Sequence, residues 1–170
     1  MSAPRHWLLK SEPEVFSFAA LERAPRRTTS WGGVRNYQAR NLLRDELALG
    51  DLVFFYHSNA TPSGVAGIAR VVRAGYPDPA QFEPKDAYFD PQSSREAPRW
   101  YAVDIAAEEP LARFVALEEL KAEARLAGMV LLQRSRLSVQ QVTPAEWEVV
   151  AARGGLGGGP ARSRKPARKS

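Results

Sequence analysis

The sequence predicts an α+β domain: a mixed or antiparallel sheet of about six strands, curled into a barrel, with short helices packed around it. Three observations lead there. The chain has 170 residues, enough for one domain with a self-sufficient core. Strand-like segments are separated by short helices and turns. No regular alternation of strand and helix appears, which argues against a doubly wound parallel sheet.

His6-Trp7-Leu8-Leu9-Lys10 is a continuous apolar run and predicts a buried first strand. Phe16 to Arg23 predicts a short helix with Ser17 as a cap, and Tyr37 to Leu47 a second helix capped by Asn36. Leu49-Gly50-Asp51 is a turn. Asp51 to His57 is aromatic and β-branched, and predicts a strand. Gly64 to Arg73 predicts another, in which Gly64 and Gly67 suggest close backbone approach. Tyr76 to Arg99 is a proline-rich connection, long enough to suggest a functional loop. Trp100 to Ala106 alternates as a strand, Leu117 to Leu126 has helical amphipathicity, and Arg136 to Val142 is the last strand. Thr143-Pro144-Ala145-Glu146 combines a capping box with proline at the first helical position, so a helix follows to about 152. Trp7, Trp100 and Trp147 are expected in the core.

The folded part is expected to span 1–153, with 154–170 a disordered tail, first glycine-rich and then basic. The net charge of +5 lies there: the tail holds five basic residues and no acid, leaving 19 basic and 19 acidic residues in 1–153. A neutral body is not a phosphate-tracking groove over its whole surface. Residues 1–50 carry net +3 and residues 51–110 net −4, which permits one basic face.

The chain has no cysteine, which excludes disulfides, thiolate metal sites and a cysteine nucleophile. No apolar run reaches membrane-helix length and no signal peptide is visible, so a cytoplasmic location is expected. His6 and His57 are the only histidines and lack metal-ligand spacing. No zinc-protease motif, P-loop or nucleophile elbow occurs. No catalytic residue, metal or cofactor is therefore assigned.

Four polar clusters stand at strand ends: Lys10-Ser11-Glu12-Pro13, Trp31-Gly32-Gly33-Val34-Arg35-Asn36, Tyr56-His57-Ser58-Asn59 and Arg134 to Gln140. Such placement lets them converge at one mouth of the sheet. Each has a plainer reading as well. Trp31 suits a core, Asn36 a helix cap, His57 a satisfied buried imidazole, and Ser138 and Gln140 a solvent-facing strand.

The same clusters make the chain resemble the EVE-domain family from about Trp7 to Val150. The likeness rests on Trp7 to Pro13, Trp31-x-Gly33-Val34-Arg35-Asn36-Tyr37-Gln38-Ala39-Arg40-Asn41, Gly50-Asp51 and Phe55 to Ser58. It continues through Tyr76-Pro77-Asp78-Pro79, Tyr88-x-Asp90-Pro91, Pro98-Arg99-Trp100, Arg136 to Gln140 and Glu146-Trp147. One departure is Gln141, where the family usually has proline. The resemblance implies a PUA-like fold related to the YTH readers of methylated RNA bases, and a pocket for a modified base of DNA or RNA. On that reading the base is held by Ser11, Trp31, Gly33, Val34, Asn36, His57, Ser58 and Ser138, with the indole of Trp31 as stacking surface. Lys10, Arg35 and Arg136 hold phosphates. Trp31→Ala and Asn36→Ala are expected to weaken binding without unfolding the domain. The partner is then a nucleic acid carrying a modified base, with no membrane, and the basic tail adds non-specific phosphate contacts. Two other readings use the same features: an enzyme on nucleotides or small molecules working in that pocket, and an adaptor working through the tail.

Overall fold

The computed structural model describes residues 3–156. Six strands form one mixed sheet in the order β2-β5-β4-β3-β1-β6. They are β1 (His6–Ser11), β2 (Thr28–Trp31), β3 (Leu52–His57), β4 (Gly64–Pro77), β5 (Tyr101–Ala116) and β6 (Val139–Val142). β1 runs parallel to β3, and every other pairing is antiparallel. The sheet curls without closing, and β2 and β6 are its edges. The curl follows from β4 and β5, of 14 and 16 residues, whose pairing shifts register at four places. Each irregularity adds bend and twist.

The five helices are short: α1 (Phe18–Arg23), α2 (Tyr37–Asn41), α3 (Leu117–Lys121), α4 (Val130–Gln133) and α5 (Pro144–Arg153). Ser17 caps α1, Asn36 caps α2, and Thr143 with Glu146 closes the predicted capping box on α5. The helix expected from 37 to 47 passes at Leu42 into a wider π-type turn, in which the Leu47 N–H donates to the Leu42 carbonyl. The helix expected from 117 to 126 breaks near Ala122. Glu123 turns its carboxylate onto the Arg125 N–H and starts a separate 3₁₀ turn at Ala124–Leu126. β2 and α4 were not expected from sequence. Residues 154–156, assigned from composition to the tail, instead finish α5: the Gly154 N–H donates to the Val150 carbonyl and the Leu156 N–H to that of Ala151. The rest of the expected tail, 157–170, lies outside the described residues.

Alternation along the strands feeds two cores, one on each face of the sheet. Leu9 and Phe55 enter one with Phe18, Leu21, Trp31 and Val139, and Leu8 and Phe54 enter the other with Leu120, Met129, Trp147 and Val150. Gly67 does what its position suggested: a Cβ there would stand 2.4 Å from the Phe18 ring, so glycine lets α1 lie on the sheet. Asp51 is buried and joins the starts of β1 and β3, accepting from the Arg5 N–H, the Trp7 indole N–H and the Ala48 N–H.

Candidate functional site

Strand direction explains why the polar clusters meet. β1 and β3 are parallel, so their last residues are neighbours: Lys10 pairs Tyr56 and Ser11 pairs His57. β6 is antiparallel to β1, so its first residues lie at the same end. The Lys10 N–H donates to the Ser138 carbonyl, and the Lys10 ammonium reaches the Ser135 carbonyl at 2.5 Å. Beside them is a cleft of about 300 Å³ lined by Asn36, Gln38, Arg134, Ser135, Arg136 and Leu137. That volume is at the small end of the range for ligand sites.

The polar groups in this cleft differ in how far they are committed. Asn36 uses its Oδ1 to cap α2 through the Ala39 N–H, and its Nδ2 has no partner among the described residues. Arg134 donates to Gln38 Oε1 at 2.7 Å. The Arg136 guanidinium has no hydrogen bond or ion pair among the described residues. Gln140, buried under the loop, donates its Nε2 to the Leu137 carbonyl and fixes the cleft wall. Burial holds the Lys10 ammonium below its ordinary pKa, and its Nζ sits 5.7 Å from the Tyr56 ring centroid. The cleft is therefore positively charged: among the described residues none of Lys10, Arg134 and Arg136 pairs with an acid, and Arg136 has no side-chain hydrogen bond either.

Ser11, His57 and Ser58 form the adjoining rim. The Ser11 hydroxyl donates to the Phe16 carbonyl, the Ser58 N–H donates to the Ser11 carbonyl, and His57 Nε2 accepts from the Phe18 N–H at 3.1 Å. His57 thus fastens the start of α1, which requires a neutral ring with its proton on Nδ1. Burial lowers its pKa from the ordinary 6.5. His6 is also lowered, mainly by burial, against the opposing pull of Asp51 and Glu148. The sign follows: below pH 6.5 the unfolded chain takes up protons that the folded chain still refuses. Stability therefore falls as pH drops through that value toward the lower folded-state pKa. Urea unfolding midpoints at about pH 7.5 and 5.5 are expected to show this loss, and His57→Gln to flatten it, leaving the share of His6.

Trp31, Gly33, Val34 and Arg35 are placed otherwise than expected. Trp31 is only 9% exposed and meets Phe55 edge-on, with ring centroids 5.4 Å apart. It is a core residue, sharing its cluster with Val34 and with Leu137 of the cleft wall, and is not an open stacking surface. Gly33, at φ +74, makes room for the protein itself: a Cβ would lie 2.9 Å from the Tyr88 ring, and its N–H donates to Asp78 Oδ2 at 2.7 Å. Arg35 is already engaged within the protein. It ion-pairs with the buried Asp78 at 3.0 Å, donates twice to the Tyr88 carbonyl, and lies over the Trp100 and Tyr88 rings.

These residues hold the 78–100 connection. Its centre is Gln81, fully buried and not singled out from sequence. Gln81 Nε2 donates to the Asp78 and Trp100 carbonyls, while its Oε1 accepts from the Ser93 hydroxyl and the Arg99 and Trp100 N–H groups. Asp90 accepts from the Trp100 indole at 2.7 Å and pairs with Arg99. A neighbouring hollow of about 480 Å³ is lined by Asp78, Glu83 and Asp86 with Arg95, a charge balance unsuited to an anion. Among the described residues there is no group of acids and histidines fit for a metal, and no helix is long and apolar enough to cross a membrane.

Comparison with known proteins agrees with this architecture. Human thymocyte nuclear protein 1 is 43% identical over 162 residues, which cover 85% of this chain and 72% of that protein. An uncharacterised fission-yeast protein, C21.03c of Schizosaccharomyces pombe, is 41% identical over 159 residues, covering 86% of this chain and 66% of its own. The structure of human THYN1 in complex with 5-methylcytosine-containing DNA superposes with a TM-score of 0.84 at 41% identity, over 88% of this chain and 97% of that one. The Pseudomonas syringae protein PSPTO5229 matches at 0.82 and 41%, over 88% and 99%. The relatives' name refers to the nucleus, where a cytoplasmic location was expected for this chain. The EVE domain profile matches residues 5–153. With these likenesses extending over nearly all of the described structure, the chain belongs to the EVE domain family.

Proposed function

We infer that this protein binds DNA at a modified cytosine, admitting the base to the cleft between the N-terminus of α2 and residues 134–137. One observation carries the reading: Asn36, with an unused amide N–H, and Arg136, with an unpaired guanidinium, line one concave space. A 41% identical relative solved with 5-methylcytosine-containing DNA supports the choice of partner. Base entry costs a few kcal/mol of unstacking. Asn36 Nδ2 and neighbouring main-chain groups meet the polar edge of the base, Ser11, Ser58 and Ser138 bound the entrance, and Lys10 and Arg136 neutralise adjacent phosphates. On this reading the protein acts by binding.

Magnitudes set the expected result. A buried methyl contributes about 0.8 kcal/mol, roughly a fourfold preference for methylated over plain cytosine. Rejection of other bases needs an unpaired buried polar group. Fluorescence titration of the full chain with matched duplexes is expected to give that preference. Asn36→Ser keeps the helix cap and removes the amide, and is expected to weaken both duplexes by a similar factor with the salt slope unchanged, because the two bases share the polar edge it meets. Arg136→Ala is expected to weaken both duplexes equally and to lower the salt slope by about 1. Equal binding of the two duplexes by the unaltered protein contradicts the reading.

A further inference from the structure

Arginines in the described structure are mostly committed. Arg5, Arg44, Arg70, Arg113, Arg125 and Arg153 pair with acids, and Arg73 and Arg95 lie on aromatic rings. Arg40 donates to Asn41 and to the Arg99 carbonyl. Among the described residues, only Arg23, Arg26, Arg27 and Arg136 have side chains with no hydrogen bond, ion pair or ring partner. Arg136 stands in the cleft. The other three are exposed and gathered where α1 turns into β2. Glu22 is the single acid between residues 18 and 31, and it pairs with none of them.

The backbone of this turn is unusual. Arg26 and Arg27 both have left-handed dihedrals, at φ 55 and 54. Glycine takes that conformation freely, whereas a residue with a side chain is strained there. The turn is nonetheless well fixed: the Arg27 N–H donates to the Ala24 carbonyl at 2.7 Å, and the Thr28 hydroxyl donates to the Arg26 carbonyl at 2.8 Å. Two successive arginines in a strained, pinned turn suggest that their side chains are wanted.

Its location gives a direction. α1 begins at the rim of the cleft, where the Phe18 N–H meets His57. At about 1.5 Å of rise per residue, Arg23 stands roughly 8 Å along the helix from that point. This matches two or three nucleotides at about 3.4 Å of duplex axis each.

We propose that Arg23, Arg26 and Arg27 form a second anion-binding surface that grips the sugar–phosphate backbone of the same DNA, a few nucleotides from the base held in the cleft. The proposal rests on the DNA-binding reading above, but it concerns sequence-blind affinity and not base choice. The full chain is titrated with unmodified and 5-methylcytosine duplexes between 50 and 200 mM salt. The triple change R23Q/R26Q/R27Q is expected to weaken both duplexes by about tenfold at low salt and to lower the salt slope by about 2 to 3, with the preference for the methylated duplex unchanged. The triple lysine variant keeps the charge and is expected to stay within about twofold of the parent. R26G/R27G relieves the left-handed strain. It is expected to melt at or above the parent temperature while lowering the slope by about 2. Unchanged affinity and slope in the glutamine and glycine variants overturn the proposal. So does intact DNA binding accompanied by lost binding to phosphatidylserine vesicles. Failure of base recognition reads out separately, as equal binding of the two duplexes by the parent protein.

Discussion

Trp31→Ala lowers the unfolding free energy by about 3 to 5 kcal/mol, the usual cost of emptying an indole-sized site in a packed core. The indole is 9% exposed, lies edge-on to Phe55, and ends the edge strand β2 against Val103. Little of it can move to fill the space. Urea unfolding followed by far-UV circular dichroism checks this, with a wild-type midpoint as the contrary result. Lost DNA binding by Trp31→Ala therefore says nothing about stacking. Trp31→Phe is the informative variant: it keeps most of the core contact and the ring, and is expected to unfold about 1 kcal/mol more easily.

Gln81→Leu is the second large effect, also about 3 to 5 kcal/mol. One side chain serves two main-chain carbonyls, two main-chain N–H groups and the Ser93 hydroxyl at full burial. Each group left without a partner costs about 1 to 3 kcal/mol, reduced where water enters. The 78–100 connection then loosens, and with it the Asp78 and Tyr88 contacts to Gly33 and Arg35. Limited trypsin digestion is expected to cut after Lys85 and Arg95 in the variant well before the parent. Equal digestion rates contradict the role given to Gln81.

Local signals were legible in the sequence. The apolar runs of β1 and β3, the caps at Ser17 and Asn36, and the capping box at Thr143 all depend on residues close in the chain. β2 was missed because Thr28-Thr29-Ser30-Trp31, though rich in strand-forming residues, is only four residues long, and its partner β5 lies more than seventy residues away. β5 was read too short because Glu108, Glu109 and Pro110 interrupt its pattern where the strand bends. The gathering of Lys10, Ser11, His57, Ser58, Arg136 and Ser138 near one end of the sheet follows from the ends of β1, β3 and β6, so it could be anticipated, whereas Asn36 arrives from the start of α2. The fates of Gly33 and Arg35 could not: their partners Asp78 and Tyr88 are 43 to 53 positions away. From sequence, a glycine that admits a ligand and one that admits another loop look alike.

The manner in which Gln81 is bonded also bears on how such a protein diversifies. Apart from Ser93, it holds only main-chain atoms, so the course of the connection hardly depends on its outward side chains. Lys85, Ala87, Gln92 and Glu96 are exposed positions of that kind. They are replaceable ornaments on a fixed frame, and a library randomised at these sites should retain its fold while presenting altered chemistry at the edge of the molecule.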